Sequence, residues 1–214
     1  METCWDTVTR DGELISPYDL AFGSKNQYFY VADFYNGRIQ RYSVNSGGNQ
    51  TGVTVLNMTA RTGTFRGFYD GVLNNPGSVF VYKNDNIFVC ETYRPHRVLK
   101  LSPNGTLTTV IEPKDSVTVC GGNGKGDNLN QLNRPWSVFV DSNEKQIYVG
   151  DGLNGRVVRW SIGAKKGEIV VGGNQSSNKQ SELSRVGGIG FDADGNLYVT
   201  DFDEGEIKKF LIDN

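Results

Sequence analysis

One arrangement of residues recurs four times along the chain and limits what the chain can fold into. It opens at Pro17, Pro76, Pro135 and Val186. A short apolar run follows each opening, and then a second run that ends in an acid. The second runs are Tyr28-Phe29-Tyr30-Val31-Ala32-Asp33, Asn86-Ile87-Phe88-Val89-Cys90-Glu91, Gln146-Ile147-Tyr148-Val149-Gly150-Asp151 and Asn196-Leu197-Tyr198-Val199-Thr200-Asp201. A third run starts at Arg38, Arg97, Arg156 and Glu206. The acid stands 16, 15, 16 and 15 positions after the opening residue, and the third run starts 5, 6, 5 and 5 positions after the acid. The openings lie 59, 59 and 51 residues apart, so the length varies between the repeated cores and not inside them.

Each unit is too small to bury both of its faces alone, so neighbouring units must cover one another. The runs are rich in Val, Ile, Tyr and Phe, and Gly and Asn punctuate them, as expected of short strands joined by tight turns. A fourth run follows in the first three units: Gly52 to Leu56, Ser116 to Cys120 and Glu168 to Val171. Four antiparallel strands per unit, repeated in register, predict an all-β chain folded as a β-propeller of four blades. The repeat cores cover about residues 17–57, 76–121, 135–172 and 186–212 of a single domain over 1–214. The last unit stops after its third run, while Thr7-Val8 precedes the first opening like the end of a fourth strand. Two architectures fit: a four-bladed ring closed through that N-terminal strand, or a fragment of a larger propeller of about six blades.

The units resemble the NHL repeat. The likeness rests on the Pro-x-x-Val/Leu opening, the Tyr/Phe-Val-x-Asp/Glu run and the Asn-Gly-Arg step, seen at Asn36-Gly37-Arg38 and Asn154-Gly155-Arg156. Gly121-Gly122-Asn123 and Gly172-Gly173-Asn174 resemble the family's inter-blade links. The second unit departs at Arg94-Pro95-His96-Arg97, and the fourth at Glu204-Gly205-Glu206, where an acid replaces the arginine. The resemblance covers about residues 5–214 and implies a propeller fold. It says little about function, since propellers host many activities.

Chemistry is sparse. A zinc lyase of the related kind needs several histidines, and this chain has His96 alone, in a turn that suggests exposure. No catalytic residue, metal site or cofactor is expected. Asp33, Glu91, Asp151 and Asp201 recur once per unit and could ring a channel as a cation site. Arg38, Arg97 and Arg156 follow three of them at a fixed offset, which favours ion pairs within each unit, with Lys208 as the candidate substitute in the fourth. Gly121 to Gly126 lacks phosphate-loop spacing and reads as a flexible loop. Cys90 and Cys120 fall on strands two apart, too far for a disulfide. Sequons occur at Asn49, Asn57, Asn104 and Asn174, little more than composition alone would give.

A net charge of −2 argues against a nucleic-acid partner. No apolar run is long enough for a membrane-spanning helix. The compartment is left open: extracellular or lumenal if the N-terminus is truncated, otherwise cytoplasmic. Phe34, Tyr35, Tyr93 and Phe202 follow the repeated acid and should share one rim, where aromatic side chains can anchor a partner. The expected function is therefore non-catalytic recognition or scaffolding, with a protein or carbohydrate bound through that rim. A metal-dependent lyase or hydrolase and an RNA-binding surface are the alternatives.

Overall fold

A computed structural model describes residues 13–45, 50–57, 73–102, 116–143, 145–173 and 182–212. They form four antiparallel sheets, each built from strands consecutive in the chain. Blade 1 holds β1 (Pro17–Phe22), β2 (Tyr28–Asp33), β3 (Arg38–Ser43) and β4 (Val53–Asn57). Blade 2 holds β5 (Pro76–Tyr82), β6 (Asn86–Glu91), β7 (Arg97–Leu101) and β8 (Ser116–Gly121). Blade 3 holds β9 (Pro135–Val140), β10 (Gln146–Asp151), β11 (Arg156–Ser161) and β12 (Glu168–Gly172). Blade 4 contributes β13 (Val186–Phe191), β14 (Leu197–Asp201) and β15 (Glu206–Phe210) among the described residues. The fold is a β-propeller.

The first strands pack on one another, β1 on β5, β5 on β9 and β9 on β13, and so line the axis. The second strands β6 and β10, each set between two blades, are apolar over most of their length because both of their faces are covered, whereas Thr200 on β14 is exposed. In β6, Ile87 and Val89 face blade 1, while Phe88 and Cys90 face blade 3. Successive side chains on a strand point to opposite faces, so one six-residue run serves two cores. Three such cores lie between neighbouring blades. A leucine from each inter-blade link closes its core: Leu73, Leu132 and Leu183 are buried. Each stands three residues before the opening of its blade. Leu14 holds the same position before β1 but is only half-buried.

Among the described residues, blades 1 and 4 stand at the ends of the arc. β13 makes no interface with β1 like those between neighbouring first strands. Tyr18, Leu20 and Phe22 on β1, and Ile207 on β15, are exposed. Thr7-Val8, on which closure of a four-bladed ring was expected to rest, lies outside the described residues, as do Cys4, Asn49, Asn104 and Asn174. Asn57 is the last residue of β4, and its side chain is likewise outside the description. No helix among the described residues is long and apolar enough to cross a membrane.

Candidate binding site at the channel mouth

The repeated acids are buried at the same end of each blade, where the second strand stops. Asp33, Glu91 and Asp151 are fully buried, and Asp201 nearly so. Each does two jobs. It accepts the backbone N–H of the residue two before its own blade's opening: Ile15 to Asp33 at 2.8 Å, Asn74 to Glu91 at 2.6 Å, Asn133 to Asp151 at 2.6 Å and Ser184 to Asp201 at 3.1 Å. It also meets a cation of its own blade. Arg38 Nε lies 2.7 Å from Asp33, Arg156 Nε lies 2.7 Å from Asp151, and Arg97 pairs with Glu91. These groups form in-blade clamps, not an open carboxylate ring.

The Asn-Gly-Arg step now has a physical account. Asn36 and Asn154 each donate from Nδ2 to the acid at 2.8 Å. Gly37 and Gly155 take φ of 58° and 55°, the left-handed turn that brings the arginine back to the acid. Arg38 and Arg156 then also donate to link carbonyls, Glu13 O and Asp127 O.

Blade 2 puts His96 at the glycine position with φ 57°. This corrects the expectation of an exposed histidine, since His96 is 5 % exposed. The left-handed turn directs the ring inward, where Nδ1 lies 3.2 Å from the Arg134 N–H and 3.0 Å from Thr92 O. Burial lowers its pKa and keeps the imidazole neutral, so Nδ1 can accept from Arg134. In the same blade Arg94 replaces the asparagine, and burial pushes the Glu91 carboxyl up to about 7 against the pull of Arg97 and the Asn74 N–H. Burial also raises Asp151, opposed by Asn133, Asn154 and Arg156. At Asp201 burial acts in the same direction, but Ser184, Arg185 and Lys208 outweigh it and the carboxyl lies below its ordinary value.

All four blades carry a bulge where the first strand begins. Pro17 pairs with Asp33 and Asp19 with Ala32, which leaves Tyr18 as the extra residue. Gly77 and Trp136 are extra in blades 2 and 3, and the irregularity in blade 4 falls at Gly187 and Gly188. A bulge re-aims a side chain relative to the regular pleat. The residues just before three of the openings, Ser16, Asn75 and Arg134, have φ of 53°, 45° and 52°. This left-handed kink directly before proline is a strained turn into the mouth. Across Gly77, Tyr18 of blade 1 meets Trp136 of blade 3 with ring centroids 5.7 Å apart.

The rim aromatics divide. Phe34, expected on the exposed rim, is 2 % exposed, which corrects that reading. It stacks on Tyr18 at 4.3 Å and meets Tyr35 and Tyr93 edge-on, so it forms the buried foundation of the patch. Tyr35 is 65 % exposed and Tyr93 half-buried, with the Arg134 guanidinium 4.8 Å from the Tyr93 ring. Phe202 is exposed but belongs to another group, under Arg185 on blade 4. The result is one contiguous aromatic patch of Trp136, Tyr18, Phe34, Tyr35 and Tyr93, drawn from three blades. Sequence reading missed Tyr18 and Trp136, although both hold the position after an opening proline.

Below this patch the first strands of all four blades line a cavity of about 510 Å³. The Gly121–Gly126 link, expected to be a flexible loop, is tied down instead: Asn123 Nδ2 donates to Asn130 O, and the Gly126 N–H to Leu132 O. Cys90 and Cys120 are free thiols, as their strand positions required, and burial raises both pKa values. Among the described residues, no three His, Cys, Asp or Glu side chains gather closely enough to hold a metal.

No protein-family model and no curated protein sequence matches the chain. Solved structures do. An auxiliary nutrient binding protein from Bacteroides thetaiotaomicron superposes with a TM-score of 0.65 at 12 % identity, over 89 % of this chain and 46 % of its own. A nidogen/laminin complex gives 0.55 at 16 %, over 90 % and 64 %. A streptogramin B lyase gives 0.58 at 13 %, over 96 % and 57 %. The chain spans between about half and two thirds of the length of these neighbours. At these identities the likeness concerns the fold alone.

Proposed function

We propose that this chain is an NHL-type recognition propeller that binds a protein or carbohydrate partner through the channel mouth, without catalysis. The observation that carries the reading is the aromatic patch. Bulges present Tyr18 and Trp136 to the mouth, Phe34 locks Tyr18 from below, and Tyr35 stays exposed beside the half-buried Tyr93. Rigid aromatics with a buried foundation give large contact area at small entropic cost, the usual make-up of a binding hot spot. The single histidine is buried with its Nδ1 held between backbone groups, which suits a structural role better than proton transfer.

Glycan and peptide arrays probed with the purified protein test the proposal. A ligand retained by the wild type and lost on Tyr35→Ser/Tyr93→Ser, with an unchanged circular dichroism spectrum, is the expected result. Array binding that ignores this double change places recognition elsewhere and overturns the reading.

A further inference from the structure

We infer that His96 is a proton-operated latch on the channel mouth: the neutral ring holds the turn that carries Arg134, and the protonated ring releases it. That the latch controls binding rests on the reading of the mouth as a recognition face. The latch itself rests on one nitrogen atom. His96 Nδ1 lies 3.2 Å from the Arg134 N–H, which needs an acceptor, and 3.0 Å from Thr92 O, which needs a donor. It can serve only one of them at a time. Among the described residues Nδ1 is the one acceptor for that N–H. An orphaned N–H is rarer inside proteins than an under-used carbonyl. The neutral ring therefore carries its proton on Nε2 and accepts from Arg134. A second proton makes Nδ1 a donor, which turns to Thr92 O and meets the Arg134 N–H donor to donor.

The other partners are fixed. Thr92 is fully buried, its N–H donates to Asn75 O at 3.2 Å, and its Oγ1 donates to Pro135 O at 3.0 Å. The His96 backbone is held at both ends, its N–H on Tyr93 O at 2.8 Å and its carbonyl on the Gly122 N–H at 3.2 Å. Arg134 is half-buried and sits at a left-handed φ of 52° directly before a proline, a conformation that needs outside support. Arg134 is therefore the part that moves, and its guanidinium lies 4.8 Å from the Tyr93 ring in the patch. The charges around the imidazole are cations on both sides: Arg94 on its own turn, and Lys125 and Arg134 on the link. Glu91 and Arg97, on the strands that flank the turn, pair with each other. Burial and the three cations act in one direction, so the latch is closed at neutral pH and opens in acid, below the ordinary 6.5. Blades 1 and 3 have Gly37 and Gly155 at this place and carry no such group.

NMR of the 15N-labelled chain, titrated from about pH 7.5 to about pH 4.5, tests this. The imidazole nitrogen shifts report the tautomer and charge of His96, the one histidine of the chain. The expected result is a proton on Nε2 at neutral pH. As the ring takes its second proton, the Arg134 amide should lose about tenfold or more of its protection, corrected for intrinsic exchange. The Gly126 and Leu153 N–H groups, bonded to Leu132 O and Asn133 O beside it, should keep theirs. Glu91 titrates in the same range and is read separately at the Asn74 N–H that it accepts. His96→Asn suits a left-handed backbone and has no proton to gain, so its Arg134 protection should not vary with pH. His96→Gly, the residue of blades 1 and 3, is the second variant. A proton on Nδ1 at neutral pH, a ring that stays neutral throughout, or an Arg134 response that persists in both variants overturns the latch. The array compounds that depend on Tyr35 and Tyr93 are then probed again at both ends of the range. The wild type should release them in acid and His96→Asn should retain them. If Arg134 is freed and binding does not change, control of recognition is overturned and the recognition face stands. If no compound depends on Tyr35 and Tyr93, the recognition reading falls, and the Arg134 amide alone decides the latch.

Discussion

Blades 3 and 4 hold the same acid in the same place with different cations. In blade 3, Arg156 is almost as buried as Asp151 and reaches the link carbonyls of Asp127, Asn128 and Gln131 as well. In blade 4, Glu206 occupies the arginine position, and the cation comes from Lys208, two residues further along β15. Residues two apart on a strand share a face, so one pleat further along still points at the acid. Lys208 Nζ lies 3.0 Å from Asp201 and donates to Glu182 O, four residues before its blade's opening, as Arg38 does to Glu13 O. The lysine side chain is 22 % exposed, against 4 % for Arg156. In blades 1, 3 and 4 a cation ties acid to link, and it need not be one fixed residue. What changes is how much of the pair is withdrawn from water.

The largest test of that contrast is to remove each acid. Asp151→Ala strands a buried guanidinium and should cost about 3–5 kcal/mol in urea unfolding. Asp201→Ala leaves a lysine that can turn to solvent, and the loss should be about 1–3 kcal/mol, set mostly by the Ser184 and Arg185 N–H groups. Equal losses would mean that burial of the cation is irrelevant. A second test compares interior and end through the link leucines. Leu132→Ala empties a packed core and should lower stability by about 2–5 kcal/mol, while Leu14→Ala, at a half-buried position before blade 1, should cost under about 1 kcal/mol in the same assay.

The smallest effect is in the pH dependence, where blades 2 and 4 have opposite signs. Glu91 has its folded value raised to about 7 from 4.5. Between these the folded chain binds more protons than the unfolded one, so stability falls as pH rises through that window. Asp201 lies below its ordinary 3.8, so its contribution is present above that value and lost on acidification through the folded value. His96 also loses stability as pH falls below 6.5, where the unfolded chain protonates first. Subtraction isolates Glu91: relative to wild type, Glu91→Gln should gain stability between pH 5 and 7. A flat difference would show that the Arg97 pairing keeps Glu91 charged throughout.

Much of the fold was legible because the second runs are apolar on both faces, and only sandwiching between neighbours explains that. The acid-to-arginine offset was legible as well, and so was Lys208 as the substitute. The bulges were not. A single extra residue leaves the hydrophobic pattern unchanged and appears only as a register shift, so Tyr18 and Trp136 passed as ordinary strand residues. The link leucines did carry a signal, the same offset before each opening, but apolar residues inside links look unremarkable without the faces they close. His96 was misjudged because a residue after proline in a turn reads as surface, whereas its left-handed backbone sends the ring inward.

Each clamp joins a blade's own second strand to the stretch that leads into that same blade. The reference point for every unit is thus internal, and the path from the previous unit only has to arrive. That makes the connecting stretches interchangeable parts: 18 residues separate β4 from β5, and 13 each separate β8 from β9 and β12 from β13, two lengths tolerated by one frame. A segment grafted between the end of one blade and the clamp of the next would alter the molecule's rim without displacing its neighbours, which makes this chain a chassis on which recognition loops can be exchanged.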